Sequence, residues 1–378
     1  MRIGIVCYPT FGGSGVVATE LGLELSRKGH TVHFITYRQP VRLELISKNV
    51  HFHEVNVPDY PLFHYQPYEL ALSSKIVDTV KMFKIDVLHV HYAIPHAYAA
   101  YMAKKMLFHE GIKLPVVTTL HGTDITLVGS HPFYKTAVTF SINSSDAVTS
   151  VSQSLKDDTQ RLFKTKKDIT VIPNFVDLNK YKSAGNQCPK GILAKDTERI
   201  ITHISNFRAV KRIPDVIHIF NNIRKEVPSK LLMIGEGPER ENAEKLCIDL
   251  NIENHVLFLG NSNEVNKILC FSDLFLLPSE TESFGLSALE AMASGVPVIS
   301  SDTGGLPELN LNGFSGYLSP VGDVMNMSQD ALSILKDSKI LLNFKKSAKL
   351  RASNFDIHQV VSSYESVYNK ALKNCISI

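Results

Sequence analysis

The sequence has few cysteines, and they are far apart. Its five cysteines form no Cys-x-x-Cys pair and no pattern typical of a disulfide framework. Small secreted domains with many disulfides are therefore excluded, and single thiols in a reducing compartment are expected. The expected location is the cytoplasm.

The chain also has little net charge and no long apolar run. Its formal net charge is +3 over 378 residues, and the basic residues occur in short clusters between acidic neighbours. This distribution does not indicate nucleic-acid binding. No apolar run reaches the ~18 residues needed to span a bilayer, so no integral membrane segment is expected, although peripheral membrane contact stays open.

Length and hydrophobic content favour two domains of the α/β class. With 44% hydrophobic residues, the 378-residue chain can bury two cores. Short apolar runs alternate with longer helical patterns, which predicts two doubly wound parallel sheets covered by helices. The predicted strands are 3–7, 32–36, 87–91, 116–120, 147–151 and 169–172, then 200–204, 230–234, 256–259, 274–277 and 297–300. The predicted domains are 1–177 and 178–355, with the boundary in the polar stretch 180–195, and 355–373 is predicted to be a terminal helix.

The most informative segment places Glu282 and Glu290 eight residues apart around a predicted helix start. Ser283 or Glu282 is expected to cap this helix, and Gly295 is expected to end it in the left-handed conformation. At ~1.5 Å per residue the carboxylates would lie on the order of 10 Å apart along the axis, which suits a sugar ring and a ribose joined by a diphosphate. Free N–H groups at the helix start would face that anion, namely those of Phe284, Gly285 and Leu286.

A glycine-rich loop, Gly12-Gly-Ser-Gly15, follows the first predicted strand. It can bring ligand and backbone close together, but a tight turn between strand and helix remains the alternative. The loop does not match G-x-G-x-x-G, and no acidic residue follows the second strand, so a dinucleotide site is disfavoured.

Histidines follow two neighbouring strands. His121 begins His-Gly-Thr-Asp124 directly after the fourth strand, and His89 and His91 lie at the end of the third. Their spacing matches no compact zinc motif, so no metal is expected. Because His89 and His91 alternate with apolar residues along a strand, at least one of them is expected to be structural.

A basic loop follows the first strand of the second half, with Arg208, Lys211 and Arg212. Such cations can bind a diphosphate, arginine through its fork and lysine as a point charge. A solvated basic turn is the alternative. The loop with Gly235 after the next strand, and the Glu282 segment after a later one, favour a ligand site at this edge.

Together these motifs resemble the retaining family 4 glycosyltransferases of the GT-B fold, whose hallmark is a Glu-x7-Glu motif. The resemblance runs through the whole chain and implies that the first domain binds the acceptor, joined by a C-terminal helix at 356–378, and that the second binds the donor. It implies catalytic or donor-binding roles at specific positions. Glu290 would bind the ribose, Glu282 would bind a sugar hydroxyl, and Arg208 and Lys211 would bind the diphosphate. His121 would lie near the anomeric carbon, and Gly13 and Gly15 would close the acceptor side of a cleft. Backbone groups of the donor site would come from Gly235, Phe284, Gly285 and Leu286.

Some features depart from the family pattern or go beyond it. The family often places its arginine about five residues before the lysine, whereas here the separation is three, so Arg212 is a substitute for Arg208. Stretches around His91, Thr118–Thr126 and Ser205–Arg212 resemble the members that transfer N-acetylglucosamine from its UDP derivative to L-malate, the first step of bacillithiol biosynthesis. Candidate acceptor-binding residues are Ser14, Tyr92, Thr118, Thr119 and Asn174.

The resemblance implies no cofactor and no metal, and leaves a homo-oligomer open. Three alternatives also remain: the same donor chemistry with a phosphorylated polyol or a lipid as acceptor, a UDP-sugar epimerase, and a nucleotide-sugar binding protein without turnover.

Overall fold

A computed structural model describes residues 1–10, 12–43, 49–59, 61–182, 194–195, 197–262 and 264–376. The chain forms two compact units, one of Met1–Asn174 with Ile357–Ile378 and the other of Phe175–Asp356. The first unit therefore ends before the predicted boundary at 177, and the polar stretch 180–195 lies within the range of the second unit. Val176 explains the difference, because its backbone N–H donates to the carbonyl of Phe355 at 3.0 Å, within the second unit. Most of the polar stretch lies outside the described residues.

The first unit is built on a seven-stranded parallel sheet in the order β3-β2-β1-β4-β5-β6-β7. Apolar runs buried on both faces form its central strands, as expected for a sheet covered by helices on both sides. Its strands are β1 Arg2–Val6, β2 Thr31–Thr36, β3 Val50–Glu54, β4 Val87–His91, β5 Val116–Leu120, β6 Ala147–Ser150 and β7 Ile169–Val171.

Helices cover this sheet and include the C-terminal one. Two helices, α2 and α3, pack their apolar faces on one side through Leu72, Ile76, Ala103 and Leu107. The helices are α1 Gly13–Arg27, α2 Tyr68–Phe83, α3 Tyr98–His109, α4 Pro132–Ser144, α5 Gln153–Phe163 and α14 Ile357–Ile376, with a π-helical turn at Thr123–Leu127 and a turn at Ala93–Ala97 that is kinked at the extended Ile94.

The C-terminal helix α14 belongs to the first unit and is held there by buried and charged contacts. Its Tyr368 is fully buried and its hydroxyl lies 2.8 Å from Nδ1 of His89 in β4. Nδ1 of the partly exposed His358 lies 2.8 Å from Oε1 of the buried Glu24 in α1. The helix predicted at 355–373 is thus confirmed.

The second unit repeats the architecture with a six-stranded parallel sheet in the order β10-β9-β8-β11-β12-β13. Its strands are β8 Arg199–Ile204, β9 Ser229–Ile234, β10 Val256–Gly260, β11 Leu274–Leu277, β12 Val298–Ser301 and β13 Gly316–Ser319. Its helices are α6 Leu178–Lys182, α7 Ile213–Arg224, α8 Arg240–Asp249, α9 Val265–Leu269, α10 Leu286–Ala293, α11 Leu306–Leu309, α12 Val324–Leu335 and α13 Ser338–Ala352, with 3-10 turns at Ala209–Lys211, Glu253–His255 and Ser353–Phe355.

In both sheets the strand order reverses next to the first strand of the unit. In the first unit β1 lies between β2 and β4, and in the second β8 lies between β9 and β11. The crevice outside the carboxyl ends of the strands at such a reversal is where open α/β sheets bind ligands. The fold therefore singles out the loops after β1 and β4, and those after β8 and β11.

The cysteines differ in part from the expectation of single thiols. Cys7 and Cys247 are buried free thiols and Cys375 is a half-buried one, but Cys270 is disulfide-bonded. The spacing of the cysteines along the chain does not show which of them lie close together in the folded protein. Within the described ranges, no helix is both long and apolar enough to cross a membrane.

Candidate active site

In the first unit, the loops after β1 and β4 meet through a hydrogen bond. The hydroxyl of Tyr92, which directly follows β4, donates to Oγ of Ser14 in the first turn of α1 at 2.7 Å. Tyr92 has a backbone φ of 89°, a conformation that is rare for a bulky residue. Two predicted acceptor residues therefore lie together at the strand reversal.

Gly15 holds α1 against the preceding loop. A Cβ atom at this position would lie 2.5 Å from the carbonyl oxygens of both Tyr8 and Thr10. The glycine is thus needed for packing between strand and helix, which was the alternative to a ligand role. Packing does not exclude a ligand at the same turn, because α1 begins at Gly13 and the N–H groups of Gly13 and Ser14 precede those of Gly15 and Val16, which donate to the carbonyl of Gly12.

His121 lies after β5, half-buried, where a second histidine orients it. Its Nε2 lies 2.8 Å from Nδ1 of the fully buried His91, and the two rings stack with centroids 5.1 Å apart. Burial lowers the pKa of His121 to about 3 and holds that of His91 well below its usual range, so both rings are neutral at physiological pH.

Asp124 fixes the loop that carries His121. Its buried carboxylate accepts from the backbone N–H groups of Ala93 at 2.8 Å, Gly122 at 3.0 Å and His121 at 3.1 Å. Burial raises the pKa of Asp124 to about 6, and these hydrogen bonds oppose the rise. Asp124 ends the His-Gly-Thr-Asp motif, but no role was predicted for it. Its place three residues after His121 was the available signal.

Two predicted acceptor residues are placed in the core instead. Thr118 and Thr119 are fully buried in β5. The hydroxyl of Thr118 bonds Ser145 at 2.7 Å, while that of Thr119 lies 2.6 Å from the hydroxyl of Thr149 and 2.7 Å from Nε2 of His89. Because these hydroxyls are used within the fold, we leave both threonines out of the proposed acceptor site. His89 is the structural member of the histidine pair.

Asn174, the last residue of the first unit's N-terminal segment, is buried with its Oδ1 unpaired. The residue is 6% exposed, and no hydrogen-bond partner for this oxygen is found among the described residues. Since a buried amide oxygen usually has a donor, Asn174 stays a candidate for ligand contact.

In the second unit, the loops after β8 and β11 are joined by an ion pair. Nζ of Lys211 lies 2.5 Å from Oε2 of Glu282, and both side chains are less than one-fifth exposed, at 18% and 15%. The backbone reinforces the contact, because the N–H of Glu280 donates to the carbonyl of Val210 at 2.8 Å. The structure thus brings two predicted catalytic residues together at the strand reversal.

Glycines let the neighbouring loops pack directly on this pair of loops. Gly235 has a φ of 122°, and a Cβ there would lie 1.8 Å from the carbonyl oxygen of Ser205. A Cβ at Gly304 would lie 2.0 Å from the carbonyl oxygen of Glu282. Four loops of the second sheet are therefore locked together at its carboxyl edge.

Helix α10 carries Glu290, but its start differs from the prediction. The helix begins at Leu286 after Gly285, whose φ is 95°, and no side chain caps it, so the predicted cap by Ser283 or Glu282 is wrong. Glu282 is instead bonded to Lys211. Gly295, with a φ of 77°, follows the helix as predicted.

Glu290 is nearly buried at 6% exposure, and its Oε1 accepts from the hydroxyl of Tyr181 at 3.2 Å. Phe284, also predicted to lie in this site, has its ring buried against Phe355, with centroids 5.6 Å apart, so that only its backbone is left for a ligand.

The two arginines of the basic loop have different surroundings. Arg208 is exposed, whereas Nε of Arg212 lies 2.6 Å from Oδ2 of Asp215. Because Arg212 is engaged by a carboxylate three residues later, Arg208 is the better candidate for a phosphate. In the part of the chain that the structure describes, no group of three or more histidine, cysteine, aspartate or glutamate side chains could hold a metal ion.

Comparison with known proteins decides the family. The model of Glycosyltransferase Family 4 matches residues 11–180, and the model of Glycosyl transferases group 1 matches residues 188–351. The N-acetyl-alpha-D-glucosaminyl L-malate synthase of Bacillus anthracis is 46% identical over 376 residues, which cover 99% of this chain and 98% of that protein. The chain belongs to the family 4 glycosyltransferases.

Solved structures show that this glycosyltransferase has the GT-B fold. A glycosyltransferase from Rickettsia africae aligns with a TM-score of 0.78 at 20% identity, over 99% of each chain. An Anabaena protein solved with UDP and glucose aligns with a TM-score of 0.76 at 19% identity, covering 98% of this chain and 99% of its own. The predicted fold class is thereby confirmed.

Proposed function

We propose that this glycosyltransferase moves N-acetylglucosamine from UDP-N-acetylglucosamine to the hydroxyl of L-malate with retention of configuration, the first step of bacillithiol biosynthesis. The support is the 46% identity, over nearly the whole of both chains, to a protein named for this product. The second unit would bind the donor and the first the acceptor.

The observation that carries the donor assignment is the contact of Lys211 with Glu282 at the strand reversal of the second sheet. A lysine there can neutralise the diphosphate, and a carboxylate beside it can accept from sugar hydroxyls. Arg208, in the same loop, is exposed and can add a second cation. Glu290, on the following helix, is the carboxylate proposed for the ribose hydroxyls.

The acceptor proposal rests on the first unit. L-Malate brings two carboxylates, which need hydrogen-bond donors. The N-terminal turn of the 15-residue helix α1, with Gly13 and Ser14, offers backbone N–H groups and a favourable field for an anion. Tyr92, bonded to Ser14, and Asn174 complete the proposed set, with His121 as the proposed catalytic residue of this unit.

We propose that the configuration is retained because the acceptor hydroxyl attacks the anomeric carbon from the same face from which UDP departs. Glu282 is held by Lys211 and is therefore proposed to position the sugar rather than act as a nucleophile. Arg208 and Lys211 would stabilise the negative charge that develops on departing UDP, which is often the largest catalytic term. A donor phosphate oxygen would take the acceptor proton.

Turnover is proposed to need no metal, because two cationic side chains can meet the charge of the diphosphate. EDTA should leave the rate unchanged, and restoration of a lost rate by Mg²⁺ would contradict this. The proposal also includes a cytoplasmic location, although the disulfide bond of Cys270 departs from the single thiols expected there, and it allows a homo-oligomer.

An acceptor screen tests the proposed function. UDP release from UDP-N-acetylglucosamine should require L-malate, with D-malate and inositol phosphate much weaker. Release with a phosphorylated polyol or lipid alone would transfer the assignment to that acceptor. Conversion of the nucleotide sugar without any acceptor would indicate the epimerase, and UDP-sugar binding without turnover would indicate a binding protein.

A further inference from the structure

A buried hydrogen-bond chain in the second unit ends on the loop that carries Arg208 and Lys211. His203, in β8, is fully buried. Its Nδ1 lies 2.9 Å from the carbonyl oxygen of Leu276 in β11, and its Nε2 lies 2.7 Å from Oγ of Ser205. The same Oγ lies 3.3 Å from the backbone nitrogen of Phe207. The chain thus starts at the junction of β8 and β11 and ends one residue before Arg208.

Chemistry fixes the direction of every bond in this chain. A carbonyl oxygen can only accept, so Nδ1 of His203 carries the proton. A neutral imidazole has one N–H, and therefore Nε2 accepts from the hydroxyl of Ser205. The oxygen of that hydroxyl then accepts from the N–H of Phe207. Burial lowers the pKa of His203 to about 4, with a smaller contribution from the charge of Lys211, so the neutral ring is present at physiological pH.

The loop needs such support because Phe207 has an unfavourable backbone conformation. Its φ is 36°, in the left-handed region that bulky residues rarely adopt. Its side chain is fully buried and its carbonyl accepts from the N–H of Glu239 at 2.9 Å. The hydroxyl of Ser205 supplies the contact on the N–H side of the same residue.

We propose that His203 and Ser205 are positioning residues of the donor site, which hold the backbone of Phe207 so that Arg208 and Lys211 meet the diphosphate of the nucleotide sugar. The inference rests on the proposed function for its ligand. It gives roles to two residues that do not themselves contact the nucleotide.

Calorimetric titration of the full chain with UDP tests the proposal without any acceptor. Ser205→Ala should weaken UDP binding roughly five- to tenfold, the loss expected for one hydrogen bond that supports a binding loop. Ser205→Thr, which keeps the hydroxyl, should restore most of the affinity. The matched control is Ser229→Ala, since Ser229 is a buried serine in β9 whose Oγ has no partner among the described residues. It should bind UDP as the unmodified chain does.

A double-mutant cycle separates positioning from general stability. If Ser205 acts through the cationic loop, the effect of Ser205→Ala should largely disappear when Lys211 is already alanine. His203→Asn, which keeps a donor toward Leu276 but loses the acceptor toward Ser205, should weaken UDP binding by a similar factor. An S205A chain that binds UDP within about twofold of the unmodified chain, or an equal effect in both backgrounds, would overturn the inference. If the unmodified chain binds no UDP, both this inference and the proposed function are wrong.

Discussion

At the residue scale, the ion pair between Lys211 and Glu282 separates two possible roles for the glutamate. A nucleophile must be free to attack carbon, whereas Oε2 of Glu282 lies 2.5 Å from Nζ of Lys211 and also accepts from Ser279 at 3.4 Å. We predict that Glu282→Gln lowers kcat on the order of tenfold or more, because the sugar loses a charged acceptor. UDP affinity should not fall, since Lys211 is released toward phosphate.

Steady-state kinetics and UDP titration of E282Q check these two expectations, and intact-mass analysis of the unmodified chain during turnover should find no sugar bonded to the protein. A glycosylated protein carrying its sugar at position 282 in the unmodified chain would contradict the positioning role.

His91 is predicted to act by orienting His121, because its Nδ1 lies 2.8 Å from Nε2 of His121 and it touches no proposed ligand. His91→Leu should lower kcat/KM roughly tenfold, because the ring of His121 loses the hydrogen bond that orients it. His91→Asn, which retains a polar group near the position of Nδ1, should lose less. Equal losses in both variants, measured alongside thermal unfolding, would show that His91 acts only through stability.

At the scale of elements, the sequence predicted most strands but missed two. Short apolar runs bounded by turn residues located the others within one or two residues. By contrast, β3 contains His51, His53 and Glu54, and β13, Gly316–Ser319, has only two apolar residues between a glycine and a serine. Both are at sheet edges, where one neighbouring strand suffices and the sequence need not be continuously apolar.

Site residues could be proposed from loops, but their contacts could not. Lys211 and Glu282 are 71 positions apart, and only the strand order brings them together. The support given by His203 was missed for a related reason, since a histidine within a strand shows no sign in the sequence of the partner it will have. Thr118 and Thr119 were predicted as acceptor residues from their place near a strand end, and the sequence did not show that the sheet buries both faces of β5.

Glycine 235 gives a test at this scale. Gly235→Ala adds a methyl group 1.8 Å from the carbonyl oxygen of Ser205, so the loops after β8 and β9 must separate. The matched control is Gly313→Ala, because Gly313 also has a left-handed φ, 72°, but nothing within 4 Å of a Cβ atom. Conformational strain alone costs about 1–2 kcal/mol, so G313A should lose that much unfolding free energy and G235A clearly more. Denaturant unfolding measures both, and equal losses would contradict the packing argument.

At the scale of the whole molecule, buried histidines should make the first unit the more acid-sensitive one. Burial lowers the pKa of His33, His53 and His96 to about 4, and that of His89 and His121 to about 3, whereas in the second unit burial lowers the pKa of His203 to about 4 and also lowers that of His255. Below the unperturbed pKa near 6.5 the unfolded chain binds these protons and the folded chain does not. Stability from these groups is therefore complete above that pH and is lost as the pH falls toward 4.

Asp124 works in the opposite direction, because its pKa is raised to about 6 and its contribution is lost as the pH rises through that value. With one carboxylate set against several histidines, the first unit should still lose stability on acidification. Hydrogen exchange followed by mass spectrometry between pH 6.5 and pH 4.5, corrected for the intrinsic exchange rate, should show protection falling earlier in residues 1–174 than in 197–356. Earlier loss in the second unit would contradict this prediction.

The proposed reaction specifies a donor, an acceptor and the configuration of the new bond, and analysis of a single product tests all three. UDP-N-acetylglucosamine and L-malate should be incubated with the unmodified chain, and the product examined by NMR spectroscopy. The expected result is one product in which an α-anomeric carbon of N-acetylglucosamine is bonded to the hydroxyl oxygen of malate. A β-linked product, or free N-acetylglucosamine with unchanged malate, would contradict the account.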